Sequence, residues 1–201
     1  MMNNEIIFRV VIFVSFLALT AIRIYYQKQV LADERKIDFK EGPISLAAGS
    51  IAALAMIVFG VEYIFFRGAF SFAYPLLFPA WLRWSGVALL AGGILLLQQV
   101  HHHLGKSFHS LVVSKEDHQL VQTGPYYYIR HPMYTAYLIN YVAAGLIASN
   151  IVLAVVPPLM YAILVAIRLK KEEEVMIGEF GEEYIEYKKH TGALLPKFGT
   201  R

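Results

Sequence analysis

The segment HQLVQTGPYYYIRHPMY, residues 118–134, lies between two long apolar runs and decides how the rest of the chain is interpreted. It combines one arginine, two histidines and four tyrosines with glycine and proline. Ionisable side chains are costly inside a bilayer, and membrane proteins retain them where a site or pathway requires them. The segment therefore predicts an ordered loop at a membrane surface that carries a binding site.

The composition of the whole chain indicates an integral membrane protein. Of its 201 residues, 57% are apolar and 16% are charged, whereas an average soluble domain has about 25% charged residues. The length fits one domain, residues 1–201, without a dividing linker. Cysteine is absent, which excludes disulfides and thiolate metal sites. The basic residues cluster on one side of the predicted membrane, so we expect contacts with membrane lipids and none with nucleic acid.

Five apolar segments are long enough to cross or nearly cross a bilayer, which takes about 20 helical residues. The last two are short and closely joined, which predicts a tight antiparallel hairpin. We predict an all-α, polytopic transmembrane helix bundle of about five spans, with three spans in residues 1–100 and the site in residues 101–201. The segments are Glu5–Tyr26, Ile44–Phe66, Pro79–Val100, Pro132–Ala148 and Ile151–Ile167.

The distribution of basic residues predicts the orientation. Lysine and arginine concentrate between spans one and two, between spans three and four, and after span five, whereas the opposite loops contain only Arg67. By the positive-inside rule, the N-terminus lies outside and the C-terminus in the cytoplasm. The first apolar run is too long for a signal peptide and no small-residue cleavage site follows it, so we expect it to be retained.

Several polar residues near the span ends fit structural roles. Arg9, Glu62 and Arg83 fall near the outer end and Arg23 near the inner end, where snorkelling or pairing is the ordinary explanation. The histidines at 101–103 look like a metal motif, but consecutive helical residues point about 100° apart and cannot all face one ion. We expect a solvated or headgroup-facing helix end there, and no metal site.

Turn signals place the loop at the start of a helix. Gly124-Pro125 indicates a turn, and His131 precedes a proline, which pushes it out of the helical region. Pro132 suits the first turn of span four. A helix N-terminus attracts anions, Arg130 adds a fixed charge, and the neighbouring tyrosines offer flat surfaces to an adenine or a sulfonium. An interfacial aromatic belt with an arginine for headgroups explains the same composition.

A second group of charged residues follows span five. Arg168 and Glu172 are four residues apart, hence on one helical face, although an exposed ion pair contributes little. The run Glu172–Glu174 is also typical of a solvated face. Glu173–Tyr187 predicts an amphipathic helix that Gly181 bends. We expect the loop and Arg168–Glu172 to form one site, with this helix as its cover.

Three motifs carry a resemblance to a known family. HQLVQTGPYYYIRHPMY, RLKKEE and FGEEYIEYKKHTG, in this order, resemble the isoprenylcysteine carboxyl methyltransferase family, which is related to phospholipid N-methyltransferases. The resemblance covers roughly His118–Pro196. The family's LG-x-x-W element appears as Leu104-Gly105, with Phe108 in place of tryptophan. The resemblance implies S-adenosylmethionine as cofactor, held without a Rossmann domain, and the chain indeed lacks G-x-G-x-x-G after a strand.

The resemblance also implies roles for individual residues. Glu172 would hold the amino group of the cofactor and Arg168 would pair with the acceptor carboxylate, so both are candidate catalytic residues. Tyr126 would pack on the cofactor, and Gly124 and Arg130 join the cofactor-binding set. The implied contacts to the adenosyl moiety are His118, Gln119, Leu120 and Val121, and those to the methionine end are His131, Pro132, Met133 and Tyr134.

The implied methyl acceptor is a lipid that enters from the bilayer. It is the carboxylate of an isoprenylated cysteine or a similar isoprenoid, with a phospholipid amine or a phenolic lipid as alternatives. A carboxylate needs no general base, so alignment and exclusion of water would dominate catalysis. The implied membrane is the plasma membrane in a prokaryote and the endoplasmic reticulum in a eukaryote, and the oligomeric state is left open.

Two further hypotheses come from other functional classes. The first is an NADPH-dependent membrane reductase of the sterol-reductase type, because some of these reductases have a similar C-terminal half. The 2′-phosphate of NADPH would, however, require more basic residues than Arg130 and Arg168 provide. A small membrane scaffold whose motifs are relics is the non-enzymatic alternative. Paired charges at a membrane edge argue against a relic.

Overall fold

Six α-helices form the part of the chain that the computed structural model describes, residues 2–31, 43–75, 77–104 and 120–197. No β-strand occurs in these residues, and the predicted all-α class is confirmed. The helices are α1 (Met2–Leu31), α2 (Pro43–Phe65), α3 (Ala80–Leu104), α4 (Pro132–Ala148), α5 (Ile151–Phe180) and α6 (Glu182–His190).

Four of the described helices are long and apolar enough to cross a membrane, namely α1 over Asn4–Tyr26, α2, α3 and α5. The helix α4 has the predicted bounds, Pro132–Ala148. Its 17 residues extend over roughly 25 Å, which is less than the hydrocarbon core of about 30 Å. The predicted polytopic helical membrane protein is therefore confirmed, but α4 is too short to count as a full span by length. The orientation stays a prediction.

The helix α5 continues well beyond the apolar run that ends at Ile167. The sequence predicted a separate amphipathic helix over Glu173–Tyr187, and this is wrong, because α5 is one helix of 30 residues that ends at Phe180. The lysines and glutamates after Arg168 are strong helix formers and carry the helix on into water. The predicted bend at Gly181 is confirmed, since this residue has φ 54° and separates α5 from α6.

The short connection between α4 and α5 forms the predicted tight hairpin. Ser149 adopts the left-handed conformation with φ 53°, and Asn150 caps α5 by accepting a hydrogen bond from Leu153 N at 3.0 Å. A Cβ atom on Gly145 would lie 2.2 Å from the Cα atom of Ala154. The two helices therefore approach so closely that only glycine fits at this crossing. On its other side α4 packs against α3, and α5 packs against α2.

Two of the charged residues expected at the predicted outer end, Arg83 and Glu62, have hydrogen-bond partners, as expected. Arg83 donates hydrogen bonds to the carbonyl of Ile147 at 2.7 Å, to Glu5 at 2.8 Å and to the phenol of Tyr63 at 2.8 Å. The carboxylate of Glu62 accepts hydrogen bonds from a backbone N–H and a phenol. These polar groups connect α1, α2, α3 and the hairpin, so they stabilise the bundle at the end opposite the loop.

The histidines at the end of α3 differ from one another. His101 is 6% exposed and stacks on Tyr26 of α1, with ring centroids 4.3 Å apart. His102 is exposed and His103 is half-buried. The expectation of a solvated or headgroup-facing helix end is therefore wrong for His101, because α1 packs against α3 at this level.

Candidate active site

The predicted site loop, residues 118–131, is described from Leu120 onward. Gly124 has φ 58°, in the left-handed region, and a Cβ atom there would lie 2.4 Å from the ring of His103. The loop thus rests directly on the end of α3. Residues 124–127 form a 3₁₀ turn with a proline in its first turn, which confirms the predicted turn. The predicted contacts His118 and Gln119, like Gly105 and Phe108, lie outside the described residues.

The loop leads into the N-terminus of α4, as predicted. His131 caps the helix with φ −122° and ψ 60°, and Pro132 occupies its first turn. The rings of His131 and Tyr134 lie nearly parallel, at 18°, with centroids 6.0 Å apart. The first turn of α4 therefore presents an imidazole and a phenol side by side.

Both of these rings contact Glu172 of α5. The hydroxyl of Tyr134 donates a hydrogen bond to Glu172 Oε1, and His131 Nδ1 lies 3.5 Å from Glu172 Oε2. Arg168 lies one helical turn before Glu172 on the same helix. The expected meeting of Arg130–Tyr134 with Arg168–Glu172 is therefore present, and the two anchors share one region.

The next residue, Glu173, shares His131 with Glu172, since His131 Nε2 lies 3.7 Å from Glu173 Oε1, and it also contacts two cations. Its carboxylate lies 2.5 Å from Arg130 Nη2 and 2.5 Å from Lys188 Nζ of α6. The side chain of Glu173 is 12% exposed, so its interpretation as part of a solvated face is wrong. The sequence analysis missed this residue because its partner Arg130 stands 43 positions earlier, beyond any local pattern.

Residues 191–195, which we call the strap, follow α6 and return to the start of α4. Residues Ile129 and Gly192 form a parallel β-bridge. Strap carbonyls accept hydrogen bonds from Arg130 N to Gly192 O at 2.8 Å, from His131 N to Ala193 O at 3.0 Å and from Thr135 Oγ1 to Leu194 O at 2.6 Å. The segment of chain after α6 thus fixes the loop where it enters α4. Nothing in its sequence had suggested this.

The helix α6 lies over the loop. The phenol of Tyr187 donates a hydrogen bond to the carbonyl of Tyr126, and Gln122 donates one to Glu183 at 3.3 Å. Burial raises the pKa of both Tyr126 and Tyr187 above the ordinary value, so both phenols are neutral. The helix α6 thus contacts the loop, whereas its role as the cover of a cofactor pocket stays a prediction.

A cavity of about 610 Å³ opens between the loop and α6. Its lining surface is mostly apolar, and charged side chains also contribute to it. The lining residues are Gln122, Tyr127, Glu183, Glu186, Tyr187, His190 and Thr191. The cavity adjoins the loop but is not lined by Glu172 or Arg168, so it does not coincide with the predicted methyl-transfer region.

Four tyrosines continue the site into the bundle. Tyr161 of α5 makes edge-to-face contacts with Tyr134, Tyr137 and Tyr141 of α4, at centroid distances of 6.2, 6.0 and 5.1 Å. Sequence reasoning missed three of them, although the spacing 134, 137, 141 is that of one helical face. Because Tyr134 also contacts Glu172, this group of four tyrosine rings starts next to the Glu172 carboxylate.

Comparison with known proteins identifies the family. The protein-S-isoprenylcysteine O-methyltransferase of Schizosaccharomyces pombe is 30% identical over 156 residues, which cover 71% of this chain and 66% of that protein. The profile of the isoprenylcysteine carboxyl methyltransferase (ICMT) family matches residues 86–178, which include α4, Arg168 and Glu172. This part of the chain belongs to the ICMT family. The match confirms the resemblance that the motifs carried.

Two further relatives show how far the similarity to ICMT proteins extends. Protein-S-isoprenylcysteine O-methyltransferase B of Arabidopsis thaliana is 28% identical over 159 residues, which cover 76% of this chain and 77% of that protein. The Mus musculus protein-S-isoprenylcysteine O-methyltransferase is 30% identical over 118 residues, which cover 58% of this chain and 42% of that protein. This chain thus spans about two thirds of the S. pombe relative and less than half of the mouse relative.

Proposed function

We propose that this ICMT-family protein transfers a methyl group from S-adenosylmethionine to the carboxylate of a lipidic acceptor, most specifically an isoprenylated cysteine. One observation carries the proposal. Glu172 is held by Tyr134 and His131 at the N-terminus of α4, with Arg168 one turn away on α5. An anionic and a cationic residue thus lie one helical turn apart at one end of the helix bundle. The anionic residue suits a cationic methyl donor, and the cationic residue suits an anionic acceptor.

The charges around Glu172 fit S-adenosylmethionine, which carries an amino group and a sulfonium. The Glu172 side chain is 32% exposed, so a ligand can reach it. Its described partners are a phenol and an imidazole, whereas the neighbouring Glu173 is matched by the cations Arg130 and Lys188. Of the two carboxylates, Glu172 is therefore the one left to bind a cationic ligand.

The other cofactor contacts follow from the position of each residue. The first turn of α4, with Pro132, Met133 and Tyr134, offers a helix N-terminus that suits the carboxylate of the methionine end. Leu120 and Val121 would contact the adenosyl moiety, as the resemblance implies. Tyr126 and Gly124 lie in the 3₁₀ turn that supports this segment. When bound, S-adenosylmethionine supplies an electrophilic methyl group on a positively charged sulfur.

The residues of the chain then align and shield the reaction. The guanidinium of Arg168 orients the acceptor carboxylate through paired N–H donors. An ionised carboxylate needs no base, so Glu172 binds the donor rather than removing a proton. Correct alignment and exclusion of water supply the rate enhancement, and α6 with the strap covers the loop from the aqueous side.

The membrane explains how two such different ligands meet. The lipid tail of the acceptor enters from the bilayer between helices, while the water-soluble cofactor enters from the side that carries the basic loops. We propose that this side is the cytoplasm, with the N-terminus outside, because the positive-inside rule favours that orientation. The protein is accordingly a multi-pass membrane enzyme whose site faces the cytosol.

Calorimetry with the purified protein in detergent tests the proposal. The wild-type protein should bind S-adenosylmethionine, Glu172→Ala should abolish binding, and the control Glu174→Ala, an exposed neighbour on the same helix, should retain it. No binding by the wild-type protein would defeat the proposal. A parallel assay with a farnesylated cysteine, a phospholipid amine and a phenolic lipid identifies the acceptor class.

The comparisons favour methyl transfer over the NADPH-dependent reductase considered from the sequence, because the matched family and the relatives reported above are methyltransferases by name. NADPH added in the same calorimeter checks this directly. Binding of NADPH without binding of S-adenosylmethionine would reverse the assignment.

A further inference from the structure

We infer that Arg130 is a positioning residue, which acts through Glu173 and the strap to hold His131 and Tyr134 against Glu172 and does not itself contact the methyl donor. The inference rests on the proposed function. It replaces the cofactor contact that the sequence had predicted for Arg130.

The guanidinium of Arg130 is already bonded within the protein. Its Nε and Nη2 atoms lie 3.1 and 2.5 Å from one oxygen of Glu173. Its Nη1 atom donates to the carbonyl of Thr191 and lies 3.5 Å from the carbonyl of Lys188. The side chain is 7% exposed. Because all three nitrogens face protein oxygens in a buried setting, the group serves α5, α6 and the strap rather than a ligand.

The backbone of Arg130 is fixed as well. Its N–H donates to Gly192 O at 2.8 Å, and the N–H of His131 donates to Ala193 O at 3.0 Å. The strap itself is tightly folded at this point, because a Cβ atom on Gly192 would lie 1.8 Å from the carbonyl oxygen of Leu195. Side chain and backbone together therefore determine where the chain enters α4.

The position of this entry sets the position of the two rings that contact Glu172. His131 follows Arg130 directly, and Tyr134 lies in the first turn of the helix. Consecutive residues of α5 point about 100° apart, so Glu173 can hold Arg130 while Glu172 accepts the Tyr134 hydrogen bond. The imidazole of His131 lies between the two carboxylates, 3.5 Å from Glu172 and 3.7 Å from Glu173. The helix α5 thus carries two carboxylates with different roles. Glu172 binds the methyl donor, and Glu173 holds Arg130 and so keeps His131 and Tyr134 in position.

A double-mutant cycle on S-adenosylmethionine affinity tests this division. We expect Arg130→Ala and Glu173→Ala each to weaken binding about tenfold, and the double variant to weaken it about tenfold as well, because residues that act as one unit are not additive. Arg130→Lys should restore part of the loss. The matched control is Lys189→Ala, which removes an exposed cation of α6 whose partner is Glu186. Additive losses near a hundredfold would overturn the inference.

A second ligand separates positioning from direct contact. Decarboxylated S-adenosylmethionine lacks the carboxylate that an arginine would bind. A positioning role predicts that Arg130→Ala and Glu173→Gln change the affinities for the two ligands in the same ratio, because both variants displace the same helix entry. A loss confined to the carboxylated ligand in Arg130→Ala, and absent from Glu173→Gln, would overturn the inference.

Further readouts distinguish positioning from general damage and from failure of the proposed function. The acceptor KM of the folded variants should stay near the wild-type value, because Arg168 is unchanged, although the thermal midpoint should fall because a buried ion pair is broken. A rise in the acceptor KM that parallels the loss of donor affinity would overturn the inference. If the wild-type protein binds S-adenosylmethionine and every variant binds it equally well, the positioning role alone is refuted. If the wild-type protein does not bind it, the proposed function itself is refuted.

Discussion

The phenol of Tyr134, in the first turn of α4, donates a hydrogen bond to the carboxylate of Glu172, which stands 38 residues later on α5. This contact joins the end of the tyrosine-rich loop to the part of α5 that extends beyond the apolar run. A ligand bound at Glu172 therefore also meets the N-terminus of α4. The proposed methyl transfer depends on this meeting.

Removal of the Tyr134 hydroxyl should weaken cofactor binding without unfolding the site. Tyr134→Phe keeps the ring that packs on Tyr161 but loses a hydrogen bond to a charged group, which contributes about 1.5 kcal/mol, or roughly tenfold in affinity. Calorimetry with S-adenosylmethionine measures the change. Tyr128→Phe, at a residue that is 58% exposed, is the control. Unchanged affinity of Tyr134→Phe would show that the contact does not organise the site.

The hairpin should tolerate no side chain at its crossing. Gly145→Ala places a Cβ atom 2.2 Å from the backbone of Ala154, so α4 and α5 must move apart, at a cost of about 2 kcal/mol. Gly92→Ala is the control, because nothing lies within 4 Å of the added atom. Thermal unfolding in detergent should show a lower midpoint for Gly145→Ala alone. Equal midpoints would contradict the close approach.

The polar cluster at the opposite end should affect stability and not the site. Arg83→Ala removes hydrogen bonds to Glu5, Tyr63 and the Ile147 carbonyl, and breaking a buried pair costs about 3 kcal/mol. The thermal midpoint should fall, while the surviving folded protein should bind S-adenosylmethionine with wild-type affinity. A selective loss of affinity at an unchanged midpoint would contradict a purely structural role.

The junction of α6 with the loop should be sensitive to alkali. Burial and the nearby Glu173 carboxylate raise the pKa of Tyr184 to about 12, and burial also raises the pKa of Tyr187. An unfolded tyrosine has a pKa near 10, so the neutral phenols stabilise the fold fully below about pH 10 and this contribution is lost as the pH rises towards 12. The thermal midpoint should fall over that range. Tyr184→Phe should make the fall in the thermal midpoint between about pH 10 and 12 smaller, whereas the control Tyr128→Phe should leave it unchanged. An unchanged fall for Tyr184→Phe would contradict the raised pKa of this phenol.

The bundle was largely predictable because apolar runs and turn residues are local signals. Pro132 and Ser149-Asn150 bracket α4 exactly where the pattern placed it. The end of α5 was misjudged because apolar character ends at Ile167, whereas helix propensity continues through the charged residues to Gly181. Hydropathy alone therefore shortened the helix that carries Arg168 and Glu172.

The pairing within the site was only half predictable. Glu172 stood out through its motif, but Glu173 has the same local surroundings and differs only in the side of the helix it occupies. Its partners Arg130 and Lys188 come from separate elements, and the strap that fixes Arg130 uses backbone groups, which no side-chain pattern reveals. The burial of His101 likewise depends on Tyr26, a residue from the first helix.

Methyl transfer to a farnesylated cysteine tests the central claim most directly. Wild-type protein in lipid nanodiscs, given S-adenosylmethionine with a labelled methyl group, should form the labelled methyl ester, and the control Lys170→Ala should do the same. Arg168→Ala should form no ester while still binding the donor, because it loses the group that orients the acceptor. Two results would contradict the account. One is that Arg168→Ala binds the donor and still forms the full amount of ester. The other is that the wild-type protein forms no labelled product with any lipidic acceptor.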